Sequence, residues 1–452
     1  MRDLFTKTNP WSLLLKYSIP AVIATSVQAL YNIVDRIYIG KGLGTEALAG
    51  ITLTFPIFIL SIAIAVLVGN GSSSIISIRL GEGNKAQAEH TLGNVFGLFI
   101  IAGITVTTLS ITFLKPLLYL VGATDITMPY AYNYLIWFLP FITSDFLAMG
   151  TNGSIRSEGN PNLAMKIAVT GTLMNIILDP IFLFVFKLGV QGVAIATSIS
   201  RLVTMSIVLY HFTKGNSRHL TLYRKYILPK WHIIKPMLAI GLSPFSMNLA
   251  TTLVAVFSNR ALLTHGGSIA IGAFGAIQSI FVMFETPLRG LMMGTQPVIG
   301  YNYGAKLHDR VIALLKASYV YSLVISIIGL FIVFIFGENL IGMFSKSDPE
   351  LVKMGTNGLK IYLAVLPLVG IHMMTAMYYQ AIGKAKQAIT LNLLRKVIIF
   401  LPALFILPKF FGLDGVWFST PIADSLACAI AISMVYYELK SYNKFQPVIG
   451  NV

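Results

Sequence analysis

Long apolar runs separated by short polar loops dominate the pattern of this chain. Each run covers about 20 residues with few charges, which is the length that an α-helix needs to cross the hydrocarbon core of a bilayer. The pattern predicts twelve membrane-spanning helices. They are expected at residues 13–39, 47–70, 91–114, 131–153, 163–186, 190–212, 236–262, 270–294, 311–336, 357–380, 387–410 and 414–437.

The composition supports the same class. Hydrophobic residues make up 56% of the 452 residues and charged residues only 11%, with a mean hydropathy of +0.76. A soluble protein cannot bury that much apolar surface and still cover itself with polar groups. Cys428 is the sole cysteine, so neither a disulfide framework nor a thiolate metal site is expected. We therefore predict an all-α membrane protein without a cofactor.

The net charge of +16 could suggest nucleic acid, but its distribution argues against that partner. The basic residues lie in short loops between apolar runs, where they orient the chain and meet the anionic inner leaflet. Counting Lys and Arg in the short loops places both termini in the cytoplasm. The expected location is the inner membrane of a prokaryote, with the bilayer and small molecules as partners, no nucleic acid, and a monomeric state.

The two halves of the chain repeat one another without a gap over useful stretches. An offset of 223 residues carries Gly71 to Gly294 and Gly81 to Gly304. The predicted organisation is a first lobe at 1–212, a cytoplasmic linker at 213–235, a second lobe at 236–440 and a cytoplasmic tail at 441–452. Six helices in each lobe imply a pseudo-two-fold axis along the membrane normal, an arrangement found in transporters that rock around a central cavity.

Two carboxylates inside predicted helices are the main candidate chemistry. A charge in the bilayer centre costs about 2.5–3.5 kcal/mol on insertion scales, so Asp35 and Asp179 call for a reason. Asn175 lies four residues before Asp179, and Gln28 and Asn32 share a helical face with Asp35. Carboxylate and amide oxygens at similar depth suit a monovalent cation or a shared proton.

The carboxylate positions differ between the halves. At the repeat offsets, Asp35 corresponds to Asn259 and Asp179 to Pro402. The sequence therefore predicts that both buried carboxylates belong to the first lobe alone, so that a coupling cation binds asymmetrically.

Other polar residues within helices are weaker candidates for the cavity. Glu285 precedes Arg289 by four residues, which favours an intrahelical ion pair. Pro20 interrupts the hydrogen bonds of the first helix, so it could act as a hinge or as a static kink. The remaining candidates, each with a structural alternative, are Tyr31, Tyr134, Asp145 and His372.

The sequence lacks the motifs of ATP-driven transporters and of common hydrolases. The chain has no GxxxxGK[ST] phosphate-binding loop, which argues against ATP drive, and neither HExxH nor GxSxG, which argues against a protease or esterase. We predict a secondary transporter rather than an enzyme.

Three stretches resemble the multidrug and toxic compound extrusion (MATE) family. They are QPVIGYNYGAK at 296–306, NIILDPIFLF at 175–184, and GVQGVAIAT ending at Thr197. The resemblance extends over nearly the whole chain, including the loop at 79–86 and Arg156. It implies export of amphipathic, mostly cationic organic compounds in exchange for Na⁺ or H⁺ by rocking of the two lobes.

The resemblance also implies roles for single residues. Asp35, Asn175, Asp179 and Thr197 match the family's cation-coupling positions, where Na⁺ could bind, and Pro20 matches its bend in the first helix. Tyr31, Tyr134 and Asn152 match positions that support the substrate cavity. Two alternatives stay open: a lipid-linked oligosaccharide flippase of the same superfamily, and an intramembrane transferase.

Overall fold

The structure, a computed structural model, describes residues 2–214, 219–344 and 348–444. The side chains of residues 32, 33, 36, 37, 40, 41, 45 and 441–444 are outside this description. The α-helices are α1 (Arg2–Lys7), α2 (Pro10–Thr52), α3 (Phe55–Gly81), α4 (Lys85–Thr112), α5 (Leu114–Leu120), α6 (Met128–Phe138), α7 (Ile142–Gly150), α8 (Asn152–Ser157), α9 (Pro161–Pro180), α10 (Gly189–Thr213), α11 (Trp231–Gly304), α12 (His308–Gly342), α13 (Pro349–Tyr362), α14 (Leu366–Ala381), α15 (Ala385–Leu393), α16 (Phe400–Ile406) and α17 (Pro408–Lys444). Short π-helical turns at Ile181–Val185 and Leu394–Ile399 extend α9 and join α15 to α16.

The helices form twelve membrane passes within the described ranges. Ten helical segments are long and apolar enough to cross a bilayer, and α13 with α14 makes an eleventh that bends by 48°. The 74 residues of α11 are interrupted at Gly267, where φ is +67°, so this helix makes two passes. The predicted class, an all-α membrane protein with twelve spans, is confirmed.

The repeat is visible in the backbone as well as in the residue types. Gly44 and Gly267 are 223 residues apart and have φ of +84° and +67°. Gly189 and Gly412 are also 223 apart, with φ of +63° and +56°. These conformations are strained for residues that carry a Cβ, so glycine is the suitable residue at each turn. Equivalent helices of the two halves therefore end or begin at equivalent glycines.

Two reciprocal crossings hold the halves together. A Cβ added to Gly71 of α3 would lie 1.9 Å from the carbonyl oxygen of Met237 and 3.2 Å from the nitrogen of Gly241. In the other half, a Cβ added to Gly294 would lie 2.6 Å from the Cα of Ser18. Ser18 and Gly241 are themselves related by the offset of 223, so each crossing repeats the other. Small residues allow this close approach because lipid-solvated helices gain their stability from tight packing.

A second reciprocal pair closes the same end of the molecule. A Cβ on Gly81 would lie 2.1 Å from the carbonyl oxygen of Tyr301, and one on Gly304 would lie 2.1 Å from that of Ile78. This end also carries the start of α2, the linker between the halves and the last turns of α17. The halves are thus in backbone contact at the end where the linker lies.

Two span ends differ from the prediction by about ten residues. The helix expected to end at residue 70 continues to Gly81, and the one expected to end at 294 continues to Gly304. These extensions contain serines, glycines and amides. These residues lower the local hydropathy, so a search for apolar runs ends the helix too early. They are buried between helices, with Ser74 and Asn302 each 0% exposed.

The linker packs against the first half. α10 ends at Thr213 and α11 begins at Trp231, five residues before the predicted boundary of 236. The side chain of Asn94 accepts a hydrogen bond from the nitrogen of Lys230 at 2.5 Å and donates one to the carbonyl of Tyr226 at 3.1 Å. Of the tail expected at 441–452, residues 445–452 lie outside the described residues.

Candidate functional site

A polar cluster lies inside the first half, between α9 and α10. The Nδ2 group of Asn175 donates a hydrogen bond to Oδ1 of Asp179 at 2.9 Å and approaches Oγ1 of Thr197 at 3.4 Å. Asp179 is 0% exposed and Asn175 is 3% exposed. Asn175 and Asp179 are one helical turn apart, so they project from the same face of α9. The amide therefore joins a buried carboxylate to a hydroxyl on the neighbouring helix.

Asp35 completes the cluster from a third helix. It lies on α2, half-buried, and its carboxyl is within hydrogen-bonding reach of the Asp179 carboxyl. Two carboxyl groups at this separation cannot both carry an uncompensated charge at low cost, so a proton or a cation bound between them would stabilise the pair. The structure therefore brings together Asp35, Asn175, Asp179 and Thr197, which the sequence places up to 162 residues apart.

Two tyrosines surround the carboxyl groups. The hydroxyl of Tyr134 on α6 hydrogen-bonds Thr197, and its ring meets the ring of Phe58 edge-on at 5.9 Å. Tyr31 on α2 lies within electrostatic range of Asp35, Asp179 and Tyr134. Both tyrosines thus belong to the wall of this cluster rather than to the membrane interface.

Glycine allows α9 and α10 to approach closely at the cluster. A Cβ added to Gly171 would lie 2.6 Å from Cγ2 of Thr204. The helix then widens into the π-helical turn that follows Pro180, immediately after Asp179. π-Helical turns are often found at functional sites because they shift side chains relative to a regular helix.

The donor set fits a small cation. Oδ2 of Asp179 is buried and has no hydrogen-bond partner within the described chain, which is costly unless a cation or proton occupies the site. Asn175 uses its amide nitrogen on Asp179, which leaves its carbonyl oxygen available. Two carboxylates, one amide oxygen and one hydroxyl are oxygen donors of the type that hard cations prefer.

The remaining first-half candidates have other partners, although the Arg201 that pairs with Asp145 lies within electrostatic range of Tyr31 and Tyr134. Asp145 forms an ion pair with Arg201 at 2.9 Å. Asn152 donates a hydrogen bond to the carbonyl of Ala164 at 2.8 Å and accepts one from Arg156. Gln28 is exposed on α2 and lines a cavity described below. The side chain of Asn32 lies outside the described residues. Pro20 lies within a stretch that is helical throughout, and the break in α2 is at Gly44.

In the second half, two candidates have structural partners. Arg289 donates a hydrogen bond to Oε2 of Glu285 at 3.1 Å, which is the intrahelical ion pair that the spacing favours. His372 is 1% exposed, and its Nε2 lies 3.2 Å from the carbonyl oxygen of Leu391.

Comparison with known proteins identifies the family. The MatE family model matches residues 20–181 and 242–405, one segment in each half. The chain belongs to the MATE family of multidrug transporters. Members of this family are membrane-embedded secondary transporters of small molecules rather than enzymes, as the sequence predicts.

Individual relatives support the assignment along the full length of this MATE transporter. It is 30% identical over 441 residues to the multidrug export protein MepA of Staphylococcus aureus strain N315, covering 96% of this chain and 95% of the relative. A structure described as the outward-facing conformation of a multidrug resistance MATE family transporter is 27% identical, with a TM-score of 0.91 and coverage of 98% of both chains. A transporter of the same superfamily from Pyrococcus furiosus, described as having a binding pocket of reverse polarity, is 27% identical with a TM-score of 0.88, covering 97% of this chain and 98% of that one.

The second half of this MATE transporter contains a counterpart of the cluster that the sequence prediction missed. The ring of Phe281 meets that of Tyr362 at 5.7 Å and 81°, and the Tyr362 hydroxyl accepts a hydrogen bond from Gln278 at 3.1 Å and lies close to Thr420. Phe281 is Phe58 plus 223, and Thr420 is Thr197 plus 223. Tyr362 corresponds to Phe138 at an offset of 224, and the ring of Phe138 likewise meets that of Phe58, at 4.5 Å. The aromatic pair and the threonine are therefore present in both halves, whereas the tyrosine beside the threonine comes from a different turn of the helix in each.

The charges beside these residues differ between the halves. Asp424 of the second half is 3% exposed and accepts a hydrogen bond from Nε of Arg395 at 2.5 Å. The prediction that buried carboxylates belong to the first half alone is therefore wrong. Arg395 and Asp424 lie on different helices, so only the folded chain reveals their pairing. The difference between the halves is instead that Asp424 faces an arginine, whereas Asp179 faces a second carboxyl group.

Between its halves the MATE transporter encloses a cavity of about 270 Å³, with a smaller chamber of about 100 Å³ in the first half. Thr25, Gln28, Met149, Arg156 and Met293 line both, so the two spaces are neighbours. Methionine is prominent in the larger lining. The methionines that line the larger cavity are Met149, Met247, Met292, Met293 and Met373. Flexible thioether chains adapt to ligands of different shape, which suits a multidrug transporter.

Proposed function

We propose that this MATE transporter is an antiporter that exports amphipathic organic compounds in exchange for Na⁺ or H⁺. The coupling ion would bind at Asp35, Asn175, Asp179 and Thr197. The observation that carries this proposal is the contact of the Asp35 and Asp179 carboxyl groups beside a buried, unsatisfied oxygen. Such a pair gains more from a cation or proton than an isolated surface carboxylate does.

The helix α2 provides a physical link between the ion and the substrate path. Asp35 lies towards one end of α2, and Val22 and Ser18 lie towards the other. A Cβ added to Gly290 or Gly294 would be 2.6 Å from the Cα of Val22 or Ser18, so this part of α2 is in tight contact with the second half. Neutralising the carboxyl pair would draw α2 towards α9 and shift the segment that seals the halves. Pro20 lies between Ser18 and Val22, where a bend would have this effect.

Alternating access follows from this link. The halves are in backbone contact at the end that carries the linker, which the loop charges assign to the cytoplasm. We propose that the described state is sealed towards the cytoplasm and that rocking of two six-helix lobes opens it. In this scheme both termini are cytoplasmic, the protein resides in the plasma membrane, and one chain is the working unit, since cavity and ion site both lie within it.

The direct test is dye efflux in proteoliposomes, driven separately by a Na⁺ gradient and by a pH gradient. Asp35→Asn and Asp179→Asn should each lose most gradient-driven transport, because an amide neither binds a proton at neutral pH nor provides the charge that holds Na⁺. Asp309→Asn is the matched control, because Asp309 is exposed at the start of α12. Undiminished coupled transport in both site variants would exclude the proposed site, and transport driven by ATP alone would exclude antiport.

A further inference from the structure

Arg156 is a buried cation without an anionic partner. It lies on α8, is 7% exposed, and lines both the central cavity and the adjoining chamber. Its guanidinium donates a hydrogen bond to the amide oxygen of Asn152, and its Nε has no hydrogen-bond partner within the described chain. None of the ion pairs in the described ranges includes Arg156. A guanidinium removed from water in this way requires an anion or several strong acceptors.

Arg201, the other basic residue that lines the smaller chamber, does have an anionic partner. Arg201 lines the smaller chamber but is paired with Asp145 at 2.9 Å. The excess positive charge on this wall therefore resides on Arg156.

The opposite wall is also positive on balance. Arg289 and Arg395 line the central cavity, and Lys396 lies within electrostatic range of both. The carboxylates that face these three basic groups are Glu285 and Asp424, so one basic group remains in excess.

The carboxylates also stand behind the surface that a ligand would meet. None of the described residues that line the two cavities is aspartate or glutamate. What the lining does provide, beside its arginines and methionines, are amide groups such as Gln296, Gln380 and Asn392. Amides can donate hydrogen bonds to an anion, and the methionines can accept an apolar body.

We propose that the central cavity binds amphipathic organic anions, with Arg156 holding their carboxylate, sulfonate or phosphate oxygens. This differs from the mostly cationic substrates that the family resemblance implies. It rests on the proposed function only in treating the cavity between the halves as the substrate site. Arginine is well suited to this role because its planar fork can bind two oxygens of one oxyanion at once.

Two dansyl compounds test the preference on wild-type protein. Dansylglycine carries a carboxylate and N-dansylethylenediamine an ammonium group, while both share the dansyl group and a linker of nearly the same length. Binding would be measured by fluorescence anisotropy in nonionic detergent at fixed ionic strength, with empty micelles as the blank. We expect dansylglycine to bind about tenfold tighter, the effect of one hydrogen-bonded charge pair. Equal or tighter binding of N-dansylethylenediamine would overturn the proposal without any variant.

Substitutions at Arg156 then test whether this residue causes the preference for dansylglycine. Arg156→Gln should lose it, Arg156→Lys should keep part of it, and Arg79→Gln should keep all of it. Arg79 is the control because it lies at the end of α3 in an exposed ion pair with Glu82. A folded Arg156→Gln protein with an unchanged preference for dansylglycine would refute the role of Arg156.

A further arm distinguishes the source of the anion. Dioctanoyl phosphatidylglycerol and dioctanoyl phosphatidylcholine would compete with dansylglycine on the same protein. Displacement by the acidic lipid alone would show that the site accepts a lipid phosphate, whereas poor competition by both would favour soluble organic acids; each result keeps the oxyanion site. Asp35→Asn should retain the binding preference even where coupled transport is lost, so failure of this inference and failure of the antiport proposal are separable.

Discussion

Arg395 donates a hydrogen bond from Nε to a carboxylate oxygen of Asp424 at 2.5 Å, and both side chains are at least 96% buried. The pair lies beside Tyr362 and Thr420, and Thr420 is the repeat counterpart of Thr197. In the first half, Tyr134 and Thr197 lie beside two carboxyl groups instead. The two halves therefore surround their buried carboxylates with different charges, although their helices repeat one another.

We expect Arg395→Met to destabilise the protein by about 3–5 kcal/mol, because it leaves the Asp424 carboxylate buried and uncompensated. Combining it with Asp424→Leu should recover most of the loss, since apolar replacement of a whole buried pair is often neutral. Apparent unfolding midpoints in detergent measure both effects. Arg79→Met, which breaks an exposed pair, is the control and should cost at most about 1 kcal/mol. A double variant as unstable as the single one would contradict this account.

Thr197→Val should weaken cation-coupled transport, because it removes the hydroxyl that faces Asn175 and Tyr134. Thr420→Val removes the equivalent hydroxyl of the second half and should leave the coupling unchanged. The two variants are matched in residue type, burial and repeat position, so their comparison separates loss of an ion ligand from loss of packing. The measurement is the Na⁺ or H⁺ concentration that gives half-maximal efflux. Equal effects of the two substitutions would argue against a site restricted to the first half.

Gly71→Ala should disfavour the described state, because the added Cβ would overlap the carbonyl of Met237 at 1.9 Å. Overpacking of this kind costs about 1–3 kcal/mol. Gly275→Ala is the control: Gly275 lies within the same long helix α11 as Met237, and a Cβ there meets nothing within 4 Å. Alanine is the better helix former by about 1 kcal/mol, so the control should be neutral or stabilising. We expect the unfolding midpoint to fall in Gly71→Ala and to stay the same or rise in Gly275→Ala. A Gly71→Ala protein as stable as wild type would show that the crossing tolerates a side chain.

Asn94→Leu should loosen the linker, because Asn94 bonds both Lys230 and Tyr226 from a position that is 1% exposed. Limited trypsin digestion at Arg224 and Lys225 would report the change as faster cleavage. Asn357→Leu, at an exposed site in the second half, should cleave at the wild-type rate. If cleavage of Asn94→Leu is not accelerated, other contacts dominate the docking of the linker.

Much of the architecture follows from the sequence because the bilayer imposes simple rules. Every backbone group must be satisfied within a helix, so apolar length alone predicts twelve spans. The span ends at residues 70 and 294 were predicted about ten residues short. There the helices are buried against protein rather than lipid. Because polar residues such as Ser74 and Asn302 are tolerated in that setting, hydropathy does not show where these helices end.

The candidate site divides in the same way. Asn175 and Asp179 are one turn apart, so their shared face could be predicted from spacing. The contact of Asp35 with Asp179 depends on how α2 packs against α9. The pairing of Arg395 with Asp424, which the sequence prediction missed, depends on two helices separated by the breaks at Leu394–Ile399 and Gly412.

The sequence by itself determined the class, the number of spans, the repeat and the residue types available for an ion site. These properties depend on hydrophobicity and on periodicity along a single helix. Only the tertiary structure decided which charges are compensated: Asp179 faces another carboxyl, Asp424 faces Arg395, and Arg156 faces an open cavity. The physical reason is that electrostatic free energy inside a protein depends on distances of a few ångströms between different helices, which no local pattern encodes.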